Sequence, residues 1–242
     1  VFGPIADLIA RLADEGEPLS SEHWHLLDTI VHAIGSRWHE PDHGIWEVRQ
    51  SRRHHVHSKV MCWQTVDRAL SVAKYLGRQR FDWIALRKEI ANDVLAQGWN
   101  PAIDSFSAAY GTDDADASVL AIGLSGLIDY SDTRFIKTVE HVERKLRSGP
   151  VVFRYRFDDG LPGVEGGFLL CTAWLIQALA LIGRCDDSIS LFQKYCQFAG
   201  PTGAFAEQYD PSTGIALGNV PQAYSHVGLI DSALTLEAVL RR

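Results

Sequence analysis

The 242 residues are 46% hydrophobic and 22% charged, which supplies apolar mass for a core and charge for solubility, and so excludes a disordered or collagen-like chain. Basic residues number 23 against 30 acidic ones, a net charge of −7. No Lys/Arg run exceeds two residues, so the electrostatic footprint of a DNA or RNA binder is missing and a neutral, hydroxyl-rich partner fits better.

Taken in order, the opening VFGPIADLIARLADEG starts mid-fold, as though further sequence preceded it, and carries no positively charged, hydrophobic-cored leader. Apolar stripes at helical spacing follow. Val66, Ala69, Leu70, Ala73 and Leu76 predict a helix near 58–76, and Trp83, Leu86, Ile90 and Val94 one near 79–97. Further helices are expected near 116–128 and 132–147. In the second, Phe135, Val139, Val142 and Leu146 form one face and Lys137, Glu140, Arg144 and Lys145 the other. The run GGFLLCTAWLIQALALIG approaches the length of a membrane span, but its two glycines, Thr172 and Gln177 favour a buried helix near 166–182. Helices near 186–197 and 219–238 complete the set, the last with a stripe of Val227, Ile230 and Leu234. Strand is expected only in HHVHS and in VVFRYRF at 151–157.

A long, motif-rich loop precedes the helices near 58, 116, 166 and 219, whereas short links lead into those near 79, 132 and 186. That order predicts a single all-α domain of helical hairpins, each about 50 residues, with first members inside a toroid and second members outside. All the long loops then open at one end, where function belongs. Cys62, Cys171, Cys185 and Cys196 form no close-spaced pair; they read as buried thiols and favour a cytoplasmic location.

Two acids in those loops stand out. Glu47 follows Trp46 in GIWEVR; a carboxyl group desolvated by an indole holds its proton more tightly, as a general acid does. The plainer alternative is an ion pair with Arg49 or Arg52. Glu207 lies in AEQYD with Gln208, Tyr209 and Asp210, polar neighbours that keep a carboxylate ionised as a base for water; its plainer alternative is a turn or capping acid. Two carboxylates in unlike settings facing one cavity are what glycoside hydrolysis requires. The loop RYRFDDGLPGVEGG superficially imitates a phosphate cradle, but it lacks lysine, and Asp158, Asp159 and Glu165 would repel phosphate. Arg154 and Arg156 suit sugar hydroxyls instead, and loop aromatics such as Trp46, Tyr209 and Tyr224 can stack on sugar faces. Among His54, His55 and His57, only the last two share a face in an extended segment, and Arg52, Arg53 and Lys59 oppose a cation, so no metal site is expected. Ser225 and His226 are adjacent and lack the elbow of a serine hydrolase.

GIWEVR, HSKVMCW, DRAL, DGLPGVEGGFLLCTAWL and AEQYDPSTGIALGNVPQAYSHVGLI resemble, in order along nearly the whole chain, the signatures of the bacterial branch of glycoside hydrolase family 15, which contains glucoamylases, glucodextranases and trehalases. The resemblance implies an (α/α)6 toroid and inverting hydrolysis of α-glucosidic bonds with no cofactor. It makes Glu47 the general acid and Glu207 the general base. Arg154, with Arg156 as the alternative, would bind substrate, Trp46 would flank the cleaved glucosyl unit, and Glu165, Tyr209 and Tyr224 would line subsites. The substrate would be a maltooligosaccharide or trehalose. The family's N-terminal β-sandwich and its early Trp-Arg-Asp motif have no counterpart here, so residues 1–242 are expected to form the C-terminal part of the catalytic toroid, open on one side. A non-catalytic toroid that binds glycan or protein is the alternative from another class, and a zinc-dependent toroid enzyme is a third.

Overall fold

The computed structural model describes residues 2–157 and 165–241. Its α-helices are α1 (Phe2–Asp14), α2 (Ser21–Arg37), α3 (Val56–Tyr75), α4 (Phe81–Gln97), α5 (Ala121–Leu124), α6 (Thr133–Leu146), α7 (Leu169–Leu181), α8 (Cys185–Cys196) and α9 (Ala223–Leu240). Short strands sit in the loops: β1 (Trp99–Asn100) pairs with β2 (Ser105–Phe106), and β3 (Arg147–Ser148) with β4 (Val151–Val152). β5 (Gly167–Phe168), β6 (Gln208–Asp210) and β7 (Ile215–Leu217) form an antiparallel sheet in that order.

The hairpins arise from a repeated stop signal. Gly77 adopts φ +67° and donates its N–H to Lys74 O at 3.1 Å, while Arg78 N reaches Ala73 O at 2.8 Å. Gly183 and Arg184 repeat the pattern after α7 on Ala180 O and Leu179 O, as do Gly16 and Glu17 after α1. The crossed bonds satisfy the last helical carbonyls and demand a left-handed residue, which glycine adopts without steric cost. The chain then re-enters a helix within a few residues. α2 starts on a capping box between Ser20 and His23, and α6 on the Asp132 carboxylate, which accepts from Arg134 N at 2.8 Å.

Burial separates the two rings. α7 buries Leu169, Cys171, Thr172, Ala173, Leu175, Ile176, Ala178, Leu179 and Ala180, residues too closely spaced for one face, as an inner helix requires. α6 buries Phe135, Val139, Val142 and Leu146 and turns Lys137, Glu140, Arg144 and Lys145 outward. Each such fully buried large side chain contributes about 1.5–3 kcal/mol. The inner helices α1 and α3 run parallel: Gly3 lies against Met61, Asp7 accepts from Arg68 Nε at 2.7 Å, and Tyr75 OH reaches Glu17 O at 3.5 Å. The loops that precede α3, α5, α7 and α9 share the other end.

Several expectations need correction. The helix near 116–128 shrinks to a 3-10 turn, Ala117–Leu120, and the single turn of α5. Gly123 lies so close to Phe135 that a Cβ would sit 2.2 Å from its ring, and Gly126 N bonds back to Gly123 O. HHVHS yields only a bridge between His55 and Ala109 before α3 begins at Val56, and VVFRYRF pairs as strand only at Val151–Val152. The hairpin β6–β7 was not anticipated; Asp210 builds its turn by accepting from Ser212 N, Ser212 Oγ and Thr213 Oγ1. Cys171 is buried, but Cys62 and Cys185 are half-buried and Cys196 is exposed, and none is in a disulfide. On α9, Val227, Ile230 and Leu234 do not face the core. The buried seam is Ser225, Gly228, Ser232 and Leu236, because a Cβ on Gly228 would stand only 2.6 Å from Ala173 Cβ on α7. The apolar stripe of α9 is about half exposed, as are Phe2, Ile5 and Leu8 of α1. Among the described residues, no helix is long and apolar enough to cross a membrane.

Candidate active site

The first loop, 38–55, is anchored before it reaches Glu47. Lys59, 2% exposed on α3, donates from Nζ to Trp38 O and, at 2.7 Å, to Glu40 O, closing the end of α2. Burial lowers the Lys59 pKa from its ordinary value. Asp42 and Arg53 exchange backbone hydrogen bonds of 2.9 Å across the base of the loop, and Arg53 Nη1 pairs with Asp114 at 3.1 Å. Within this clamp the chain turns over 43–48: Gly44 N donates to Asp42 Oδ1 at 2.8 Å and Val48 N to His43 O at 3.0 Å. Glu47 stands at the end of the turn with φ +51°. A non-glycine residue there costs about 1–2 kcal/mol, and such strain concentrates where a side chain must be aimed.

Glu47 is exposed and makes no ion pair among the described residues, so the surface pairing with Arg49 or Arg52 is not formed. The indole beside it in sequence points elsewhere. Trp46 Nε1 donates to both oxygens of Asp116, at 3.1 and 2.9 Å, and its ring packs 5.6 Å from Phe168 and 6.1 Å from Trp174. The Arg154 guanidinium lies 5.2 Å from the Trp46 ring and 5.1 Å from those of Tyr155 and Phe168, and its Nε donates to Glu165 at 3.0 Å. Cation–π contact and the ion pair together fix its direction.

His57 continues this aromatic wall, stacked 6.4 Å from Trp174. Burial is the largest effect on it and lowers its pKa to about 4, so it is neutral at pH 7. In the unfolded chain His57 takes up its proton near pH 6.5, above its folded value; the neutral fold is therefore undisturbed above that pH and loses stability as pH falls toward 4. His57→Phe should recover about 1–2 kcal/mol at pH 4.5 and almost nothing at pH 7.5, read as the denaturant midpoint at each pH.

The second carboxylate comes from the loop before α9. Glu207 N donates to Asn219 O at 3.0 Å and its carbonyl accepts from Leu169 N at 3.1 Å, immediately after Phe168. Phe168 packs against Trp46, so the Glu207 backbone is tied next to one ring of this pair, and Glu47 follows the other in sequence. Glu207 Oε2 accepts from Asn219 N at 3.1 Å and from Asn219 Nδ2 at 3.2 Å; Oε1 takes no hydrogen bond from the described residues. One oxygen is thus held while the other is left unbonded by the described residues, an arrangement open to a base for water. Gly218 makes this possible: at φ +75° its missing Cβ would lie 2.5 Å from Oε2. Gly218→Ala should therefore cost about 1–2 kcal/mol of stability and lower turnover far more than the change in melting temperature accounts for, because it pushes the carboxylate off its seat.

The remaining site candidates divide. Arg154 and Glu165 belong to the cluster. Arg156 is exposed and stacks 4.1 Å over Phe153, outside it. The Tyr209 ring packs 4.4 Å from Phe198, on the side of the hairpin away from Gln208, whose Oε1 accepts from Gly166 N at 2.9 Å. Tyr224 is 64% exposed at the start of α9. Asp158 and Asp159 lie outside the described residues. Ser225 is buried and donates to Ala206 O at 2.7 Å, a structural bond. No group of three or more His, Cys, Asp or Glu that could hold a metal occurs among the described residues. Sequence reasoning missed Asp116, Trp174 and Asn219. Only Asp116 had a local signal, an Asp two residues before a serine at the start of a helical turn, where its carboxylate accepts from Ser118 N at 2.8 Å.

Residues 1–234 match the family described as Glycosyl hydrolases family 15. A trehalase of Thermoplasma acidophilum is 37% identical over 245 residues, covering 100% of this chain and 42% of its own length; a trehalase of Mycobacterium tuberculosis is 36% identical, covering 97% and 35%. The chain thus spans about two-fifths of the curated relatives it matches. Among solved structures, a glycosidase variant in complex with glucose superposes with a TM-score of 0.83 at 20% identity, over 98% of this chain and 66% of its own. A bacterial glucoamylase complexed with acarbose gives 0.71 at 15% identity, over 98% and 41%. These two establish the helical-toroid fold.

Proposed function

Because this chain belongs to glycosyl hydrolase family 15, we propose that it supplies both catalytic carboxylates of an inverting α-glucosidase acting on trehalose or a short maltooligosaccharide. What supports the reading is that Trp46, the residue before Glu47, packs against Phe168, while the Glu207 carbonyl accepts from Leu169 N, the residue after Phe168. Glu47, carried on a strained turn, gives its proton to the leaving glycosidic oxygen. Glu207, held through Oε2, takes a proton through Oε1 from a water that attacks the opposite face of the sugar. Trp46 and Phe168, packed edge to face, provide an apolar surface for the glucosyl ring, and Arg154 donates to its hydroxyls. The bound sugar, by covering the mouth, excludes water from Glu47, which the folded chain alone leaves exposed. General acid–base chemistry of this kind asks for no cofactor or metal.

Trehalose is the favoured substrate, because relatives at 36–37% identity across this chain are trehalases. The location is taken as cytoplasmic, in keeping with four thiols in no disulfide. We further propose that residues 1–242 form the C-terminal part of the catalytic toroid. The half-exposed apolar stripes of α1 and α9 are the seat of an upstream segment of the same polypeptide, for which the longer relatives have room. The test is glucose release from trehalose, maltose and maltotriose by this chain and by the polypeptide extended upstream to the length of its relatives. Activity in the extended form supports the reading, and silence of both on all three sugars overturns it.

A further inference from the structure

Asp116 is a carboxylate buried to 3% exposure beside the site, and nothing in the acid–base mechanism uses it. Burial raises its pKa from the ordinary carboxylate value, against hydrogen bonds and the nearby Arg154, which favour the charged form. A group so costly to bury is informative through what it holds. Its two oxygens share the Trp46 indole N–H at 2.9 and 3.1 Å, across 70 residues of sequence, and Oδ1 also accepts from Ser118 N at 2.8 Å. Its backbone is strapped to the sugar-binding arginine: Asp116 bridges Tyr155, and Ala117 N donates to Arg154 O at 2.9 Å. Trp46, in turn, is the residue before Glu47, inside the turn that forces Glu47 into a left-handed conformation. A single carboxylate therefore ties the acid loop, the first turn after residue 116 and the Arg154 segment to one point.

We propose that Asp116 is a positioning residue for the hydrolysis: its carboxylate sets the Trp46 indole, and through it the turn that aims Glu47, relative to Arg154. The proposal rests on the hydrolase reading, and its test separates the two. Asp116→Asn keeps the volume and an oxygen for Ser118 N, but puts an amide donor where the indole N–H needs its second acceptor. Trp46→Phe removes the donor and keeps an aromatic ring. A misaimed acid loses transition-state geometry, for which about a hundredfold is a reasonable scale.

The experiment measures kcat and KM on trehalose for the extended polypeptide and for Asp116→Asn, Trp46→Phe and the double variant. Alongside it, the Trp46 indole N–H resonance, assigned by its absence in Trp46→Phe, is recorded in the parent and in Asp116→Asn. The expected result is a drop in kcat of about 10- to 100-fold in each single variant, a KM within about threefold, and a double variant no slower than the slower single one. The indole proton should move upfield in Asp116→Asn as it loses a charged acceptor. Losses that multiply in the double variant, or an indole resonance that does not move, overturn the positioning role. A parent inactive on trehalose, maltose and maltotriose with the indole shift still present overturns the hydrolase reading instead, and leaves Asp116 a structural tie.

Discussion

Glu207→Gln in the polypeptide extended to the length of its relatives should lower trehalose turnover by about 10³-fold, with KM little changed and the fold intact. Proton abstraction by a positioned carboxylate contributes about 10²–10⁴, and glutamine cannot take a proton from water at any usable pH. The substitution is a clean one here. Glutamine keeps the side-chain length, and its amide oxygen can still accept from Asn219 N and Nδ2, which hold Oε2 in the native protein. The loop before α9 therefore stays in place, and circular dichroism and the melting temperature should stay close to the parent values. Turnover that survives Glu207→Gln would sink the assignment of Glu207 as the base and move that role to another group.

The second large effect separates the two carboxylates by what each does. Glu47→Gln should reduce trehalose hydrolysis by a comparable 10²–10⁴-fold, yet leave hydrolysis of α-glucosyl fluoride within about tenfold of the parent, because fluoride departs without needing a proton. Glu207→Gln should be equally slow on both substrates, since each still needs an activated water. Equal loss on both substrates in Glu47→Gln would move the acid role elsewhere in the mouth.

The parts of this fold that were legible in the sequence are those governed by local rules. The stripe of Phe135, Val139, Val142 and Leu146 lies wholly in the core, and the densely apolar run before Gly183 is a helix buried on most of its circumference, with only Leu170, Trp174, Gln177 and Leu181 half-buried. What failed depended on contacts across the chain. Val227, Ile230 and Leu234 look like a core stripe, but the close packing of Gly228 on Ala173 turns the other face of α9 inward. The expected helix near 116–128 is cut to a turn because Gly123 must pass under the Phe135 ring.

The site divides along the same line. Arg154 was separable from Arg156 only once Trp46, Tyr155 and Phe168 had been brought around one guanidinium. The sequence makes Trp46 and Glu47 a pair, but the indole bonds to Asp116 rather than shielding the neighbouring carboxyl group. That partner lies 70 residues away, and no spacing rule reaches it. The metal and serine-hydrolase motifs were rejected on charge and geometry. His57 is a neutral stacking partner of Trp174, and Ser225 is tied to a backbone carbonyl.

The measurement that bears most directly on the central claim is proton NMR of the first minutes of maltose hydrolysis by the extended polypeptide, before mutarotation equilibrates the anomers. A general acid and a water-activating base on opposite faces of the sugar invert the anomeric carbon. The non-reducing glucose should therefore appear first as the β-anomer, and its signal should be absent in Glu207→Gln. α-Glucose as the first product of that residue would mean a covalent, retaining route that these two carboxylates, in these roles, do not perform.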